Sequence, residues 1–323
     1  MYNAESTFGD TLRCVFESEI PCAFEVVVVD DASTDGTLEV CEAFDVKLIA
    51  LEKNIGPAKA RNRAVEESTG EIILFIDSDV LFGPELIGEM LARMEAEPEA
   101  AGVGSLSAQE ALNPGFYSNY FAMQEWEWIT GAVRMFGDEH GLGMCTRCGT
   151  LRRSVFEEMG GFDEKFTEPS IEDYDLSVRI LEKYRFIWDE ALEHQHYFPE
   201  SLGAICRRYH RNTRDVVGLV GDSNVKRAKG LGGDSRARLA LGISVLCGLL
   251  SLVYAPLVWS ACAFLLGAVI CKSGLYELLL RQKGFLFCLG GFAVYVVSSI
   301  FVLTGAVAGF AQRSGGASGS ADV

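Results

Sequence analysis

The chain has 323 residues, with 45 acidic and 28 basic side chains, a net charge of −17 and 49% hydrophobic content. That length accommodates one α/β domain of roughly 200–250 residues and something more. After Leu239 only four Lys/Arg and two acids remain, so the acidic excess lies ahead of it; a domain of that sign repels nucleic-acid phosphates, and no nucleic-acid partner is expected.

In chain order, a helix is predicted at about 7–19 and a strand at 24–30, where Phe24-Glu25-Val26-Val27-Val28-Val29 ends in Asp30-Asp31. The turn-forming loop Asp31-Ala32-Ser33-Thr34-Asp35-Gly36 leads to a helix from Thr37 to Phe44 and a strand at 46–51. A Gly56-Pro57 break opens a helix through Glu67, and a strand at 71–76 runs into Asp77-Ser78-Asp79. Short apolar runs alternating with helices predict a parallel sheet with right-handed crossovers. Ligands of such sheets sit beyond the carboxyl ends of the strands. Carboxylates gathered there repel one another unless a cation or a donor-rich ligand offsets them. A third acidic pair, Glu172-Asp173, follows about a hundred residues later, and Ser170-x-x-Asp173 reads as a helix-capping box.

The ten cysteines form no framework, and Cys145-x-x-Cys148 has no second pair at zinc spacing, so reduced thiols are expected. Residues 1–20 lack the basic and apolar regions of a signal peptide, and no N-x-S/T sequon occurs, which points to a cytoplasmic catalytic face. GxGxxG, P-loop and HExxH motifs do not occur.

Together, VVVVDDASTDGT, NIGPAKARN, FIDSDV, LRRSVFEEMGGFDEKF and PSIEDYDLSVRI resemble the inverting family-2 glycosyltransferases of GT-A fold, over roughly residues 2–215. The resemblance implies a doubly wound, mostly parallel α/β sheet and a nucleotide-diphosphate sugar donor, UDP by default. It implies that Asp31 accepts the imide N–H of the base with Asp30 supporting the turn, and that Asp77 faces the ribose. Asp79 would coordinate Mg²⁺ or Mn²⁺, hard cations suited to oxygen ligands. Asp173 would be the general base and Glu172 would orient its neighbours. Some family members add a histidine ligand; His194 and His196 are the candidates, with His196 preferred. The resemblance also implies a first strand leading into P-x-Y-N. Here Met1-Tyr2-Asn3 already lies inside that element, so about ten further upstream residues are expected. The segment Met144–Arg153 and Gly160-Gly161-Phe162-Asp163 resemble the acceptor-side loop.

The glycosyltransferase domain is thus assigned to 1–215, a basic juxtamembrane linker to 216–238, a membrane region to 239–310 and a disordered tail to 311–323. Leu239–Cys271 and Phe285–Phe310 carry no charge, as membrane spans require. The first run is one long tilted helix or a hairpin bent near Pro256. Basic flanks at Lys226, Arg227, Lys229, Arg236 and Arg238, and again at Lys272, Arg281 and Lys283, favour the hairpin with both flanks cytoplasmic. The Arg207–Arg214 cluster reads either as a diphosphate clamp or as a helix on anionic lipid, and the family's arginine–tryptophan element is not cleanly present.

The expected activity is sugar transfer to a hydroxyl of a lipid-linked or membrane-proximal glycan, in cell-envelope polysaccharide synthesis. A polyprenyl-phosphate acceptor is the second enzyme reading, although an ionised phosphate needs no base. A catalytically silent sugar-nucleotide-binding membrane protein is the alternative from another class; binding without turnover would distinguish it.

Overall fold

The first strand starts later than its apolar run. In the computed structural model, which describes residues 1–140, 143–219, 233–250 and 257–317, helix α1 (Phe8–Phe16) is followed by β1 (Val27–Asp30), with Phe24 left 49% exposed. Next come α2 (Thr37–Cys41), β2 (Lys47–Ala50), α3 (Pro57–Glu66) and β3 (Ile72–Ile76). These match the predicted order, with shorter ends. The remaining elements are β4 (Val80–Leu81), α4 (Leu86–Ala96), β5 (Ala100–Ser107), α5 (Phe116–His140), β6 (Cys148–Arg152), α6 (Arg153–Glu158), α7 (Glu172–Leu181), β7 (Arg185–His196) and α8 (Leu202–Leu219). Four helices close the chain: α9 (Gly233–Leu250), α10 (Leu257–Cys271), α11 (Ser273–Lys283) and α12 (Phe285–Ala317).

The chain forms two compact units, one of residues 1–108 with 129–197, the other of 109–128 with 198–323. In the first unit β1 and β2 pair in parallel as a two-stranded sheet, and a five-stranded sheet runs β3-β6-β5-β7-β4. The expected mostly parallel sheet is corrected here to a mixed one. β5–β7 is parallel, whereas β3–β6, β5–β6 and β4–β7 are antiparallel. Two of the three reversals come from β6, which enters between β3 and β5 after α5, and the third from the short β4 on the far edge. The other edge of β1 meets Met1, whose amino group donates to Val29 O at 2.7 Å and whose carbonyl accepts from Asp31 N at 2.9 Å. One core packs α4 on the sheet through Leu86, Met90, Met94, Val103, Ile187 and Leu192. A second packs α1 and α2 on β1 through Phe8, Leu12, Val28 and Cys41.

The second unit is helical. Tyr120 and Phe121 of α5 pack with Ile205 of α8, Leu275 and Leu279 of α11 and Val294 of α12. Helix α8 lies against α12 at close range, because a Cβ on Gly305 would fall 2.3 Å from His210 O and one on Gly309 2.4 Å from Arg214 O. Arg238 of α9 is 1% exposed. Its guanidinium stacks 3.8 Å from the Tyr209 ring and 4.2 Å from that of Tyr295, and it donates to Tyr209 Oη and Ser298 Oγ. Ser244 Oγ of α9 donates to Ala261 O of α10 at 2.7 Å. Pro256, Lys226, Arg227 and Lys229 lie outside the described residues. The described parts of the anticipated linker, 216–219 and 233–238, are helical, and so is the anticipated tail as far as Ala317. Among the described residues one helix, Phe285–Gln312, is long and apolar enough to cross a membrane, and a bent pair, Trp259–Cys271 with Ser273–Lys283 at 61°, passes the same measure jointly.

Candidate active site

Asp77-Ser78-Asp79 forms the link from β3 to β4, and three backbone bonds hold it. Thr7 Oγ1 donates to Ser78 O at 2.9 Å, Asp77 N donates to Arg147 O at 2.9 Å, and Tyr197 N donates to Asp79 O at 3.4 Å. β4 then pairs antiparallel with the end of β7, Val80 opposite His196. This pairing delivers the histidine to the aspartates. His196 Nε2 lies 3.2 Å from Asp79 Oδ1, and ligand atoms of Asp77, Asp79 and His196 all fall within 4.8 Å of one another. Two carboxylate oxygens and an imidazole nitrogen suit Mn²⁺ or Mg²⁺. The residues therefore fit the divalent cation that the sequence anticipates.

His194 points the same way along β7 but is a core residue. It is 1% exposed, with Ser105 Oγ at 2.8 Å from Nδ1 and Ser107 Oγ at 3.0 Å from Nε2. Its ring is used in the sheet, whereas His196 is the histidine that stands beside the aspartates.

Glu172 and Asp173 open α7. The capping box is corrected: Ile171 occupies the N-cap, without a side-chain cap bond. Instead, Glu172 Oε2 accepts from Ser170 N at 2.9 Å and Asp173 Oδ1 from Tyr174 N at 2.8 Å. Withdrawal from water, and then the neighbouring Glu172 carboxylate, push the Asp173 carboxyl up to about 6, against the opposing pull of Arg61, Arg147 and the Tyr174 N–H. A carboxylate with that affinity is suited to taking a proton near neutrality.

Asp30 and Asp31 are both buried at the end of β1. Asp30 closes the turn, accepting from Ser33 N at 3.1 Å and Ser33 Oγ at 2.5 Å. Asp31 accepts from Ile55 N at 2.6 Å through Oδ1 and from Gly56 N at 2.9 Å through Oδ2. Each oxygen keeps a further lone pair, so these bonds leave room for a nucleotide contact. They also fix the start of α3: Gly56 has φ +89°, and a Cβ there would lie 2.4 Å from Thr167 O.

One site residue carried no assigned role in the sequence reading. Arg61, on α3, donates through Nη2 to Asp77 Oδ1 and through Nη1 to Glu172 Oε1, both at 2.8 Å. Its only sequence signal was its place in NIGPAKARN. Cys145 and Cys148 are buried and unbridged, and burial pushes Cys148 up to about 12. The Arg207–Arg214 cluster lies on α8, in the other unit.

Residues 1–160 match the family model described as Glycosyl transferase family 2. An N-acetylglucosaminyltransferase of Mesorhizobium japonicum is 27% identical over 327 residues, covering 94% of this chain and 75% of the relative. The poly(ribitol-phosphate) beta-N-acetylglucosaminyltransferase TarS of Staphylococcus aureus is 39% identical over 97 residues, which is 28% of this chain and 17% of that one. Succinoglycan biosynthesis protein ExoU of Rhizobium meliloti is 30% identical over 186 residues, 54% of each chain. The chain thus spans three quarters of the first relative but about half or less of the other two. Among solved structures, the mannosyltransferase PcManGT from Pyrobaculum calidifontis, in complex with GDP-Man and Mn²⁺, aligns with a TM-score of 0.60 at 18% identity, over 96% of this chain and 85% of that one. With a family match over residues 1–160, which carry the strand-end carboxylates, and the same fold in PcManGT, the chain carries a family-2 glycosyltransferase domain of GT-A fold.

Proposed function

We propose that this enzyme transfers a sugar, with inversion, from a nucleotide-diphosphate donor to a hydroxyl of a lipid-linked or membrane-proximal saccharide. The observation that carries the reading is the convergence of Asp77, Asp79 and His196 in the same compact unit as Asp173. Asp77, Asp79, Glu172 and Asp173 with one histidine in this unit call for positive charge beyond that of Arg61 and Arg147. Asp79 and His196, with Asp77 beside them, would hold Mg²⁺ or Mn²⁺, and a cation bound there would supply charge to offset the departing diphosphate.

Asp173 is ionised above about pH 6 and takes the acceptor hydroxyl's proton. The hydroxyl oxygen bonds to the anomeric carbon as the bond from that carbon to the diphosphate breaks, and the nucleoside diphosphate leaves. Glu172, anchored by Arg61 and the Ser170 N–H, orients the base. Asp31 receives the base edge of the nucleotide, Asp30 supports that turn, and Asp77 faces the ribose. UDP-N-acetylglucosamine is the first donor to test, because two of the relatives bear N-acetylglucosaminyltransferase names. The names of ExoU and TarS favour a glycan polymer as the product's destination.

Membrane anchoring rests on α12 and on the exposure of apolar side chains such as Trp259 (77%) and Leu286 (82%), which water alone would leave costly. The basic residues Arg281 and Lys283 at the end of α11 favour the cytoplasmic side for that flank.

The test is nucleoside-diphosphate release by membranes carrying the protein, with a panel of sugar nucleotides, Mn²⁺, and Asp79→Ala and Asp173→Asn as controls. Metal-dependent release from one donor, lost in both variants, is expected. Nucleotide binding without release from any donor would overturn the enzymatic mechanism in favour of a sugar-nucleotide-binding protein.

A further inference from the structure

Arg61 makes contacts to three separate pieces of chain. Its guanidinium is bonded to Asp77 at the end of β3 and to Glu172 at the start of α7, 111 residues apart from Arg61 in the second case and 16 in the first. Its flat face lies 5.8 Å from the centre of the Phe162 ring. The next residue, Asn62, grips the same loop from both sides of its backbone: Nδ2 donates to Phe162 O at 3.0 Å and Oδ1 accepts from Phe162 N at 2.9 Å. Phe162 in turn packs edge-on against Phe75 of β3, with ring centres 5.5 Å apart.

We infer that Arg61 is a positioning residue that ties the carboxylate on the donor side of the site to the acid pair on the acceptor side. The inference rests on the proposed role of Asp173. Glu172 is 5% exposed and adjacent to that base, and besides Arg61 the Ser170 N–H holds it. Asp77 belongs to the group suited to a cation. A rigid fork with two parallel sets of N–H donors can hold both carboxylates at 2.8 Å at once. A lysine keeps the charge and has three N–H donors, but all on one compact nitrogen at the end of a flexible stem, so it does not reproduce the fixed spacing of Nη1 and Nη2 that holds the two carboxylates apart. The consequence is geometric: loss of the fork lets α7's first turn drift relative to the β3–β4 link. A shift of about 1 Å between reacting groups costs on the order of a hundredfold in rate.

Asp31 extends the same arrangement. It fixes the backbone at Ile55 and Gly56, immediately ahead of the helix on which Arg61 sits one turn later. The nucleotide-side carboxylates therefore set where the fork stands.

The experiment is a double-mutant cycle of Arg61→Lys and Glu172→Gln. Nucleoside-diphosphate release is read as separate kcat and KM, and Mn²⁺–UDP binding is measured by calorimetry. Arg61→Lys is expected to lower kcat about tenfold or more while the Mn²⁺–UDP dissociation constant moves less than about threefold. In the Arg61→Lys background, Glu172→Gln should cost at least fivefold less than it does alone, because the bond it weakens is already lost. Losses that simply multiply would overturn the tie. A loss confined to Mn²⁺–UDP binding, with kcat unchanged, would also overturn it and make Arg61 a nucleotide contact. If Arg61→Lys fails to fold, Glu172→Gln approaches the same bond from its partner and must show the same drop in kcat at unchanged nucleotide affinity. Asp173→Asn retaining full activity would instead sink the base assignment, whatever the cycle gives.

Discussion

His196 Nε2 and Asp79 Oδ1 stand 3.2 Å apart because Val80, the residue after Asp79, pairs with His196 across β4 and β7. The imidazole therefore reaches the aspartates through strand register and not through a loop. His196→Ala is expected to weaken Mn²⁺ binding by at least the 10–100-fold that the loss of an outer partner costs a metal site. Titration of the purified protein with Mn²⁺, followed by electron paramagnetic resonance, reads this directly. Equal affinity in the variant would remove His196 from the ligand set.

Asp173→Asn separates function from stability. The amide cannot accept the hydroxyl's proton, so kcat should fall about 10²–10⁴-fold. The wild-type kcat/KM should decline as pH falls below about 6, where the carboxyl takes up its proton. The stability effect has the opposite sign. A carboxyl whose pKa rises from 3.8 to about 6 on folding binds its proton more tightly in the folded state. The cost of keeping it charged is complete above about pH 6 and is relieved as pH falls from there toward 3.8. The neutral amide should therefore raise stability by on the order of 1–2 kcal/mol at pH 8 and by little at pH 4. Thermal melts at the two pH values check this; a loss of stability at pH 8 would contradict it.

Ala32 has φ +63°, in the left-handed region, directly after Asp31. A Cβ in that region costs about 1–2 kcal/mol, which glycine avoids. Ala32→Gly should accordingly stabilise the fold by up to about 1 kcal/mol, after the greater chain entropy that glycine loses on folding. Urea unfolding midpoints measure the change, and a midpoint lower than wild type would show that the turn is not strained.

Asp31→Ala removes the acceptors of two backbone N–H groups, at Ile55 and Gly56. Leaving such donors without their partner costs about 1–3 kcal/mol. The same urea experiment should register the loss without any nucleotide present, while the proposed base contact predicts a separate loss of UDP affinity. A variant of unchanged stability would mean that the α3 entrance is held by other contacts.

The alternation of apolar runs with turn-formers located all six elements through β3 to within a few residues, because each is specified by its own neighbours in sequence. Strand direction was less accessible. The antiparallel insertion of β6 depends on the path of α5, a tertiary choice that periodicity does not encode. At the site, Asp77 and Asp79 are legible as acids at the end of an apolar strand, whereas the roles of Glu172 and Asp173 come from the resemblance carried by PSIEDYDLSVRI. The two histidines lie two residues apart on the same strand; the serines on β5 hold His194 in the core, and the β4 pairing brings His196 to Asp79. Arg61 escaped assignment because its two partners lie far from it in sequence. Ser170 looked like a helix cap, yet its backbone N–H serves Glu172 instead.

The two serines clamping His194 do more than fill the core. Side chains alternate along a strand, so sliding β7 by one residue against its neighbours would replace His194 by Glu193 or Gln195 between Ser105 and Ser107. The same slip would present Tyr197 or Gln195 to Asp79. A buried, catalytically idle imidazole therefore acts as an index pin, and a chain that paired out of step would lose its core fit and its metal ligand in the same event.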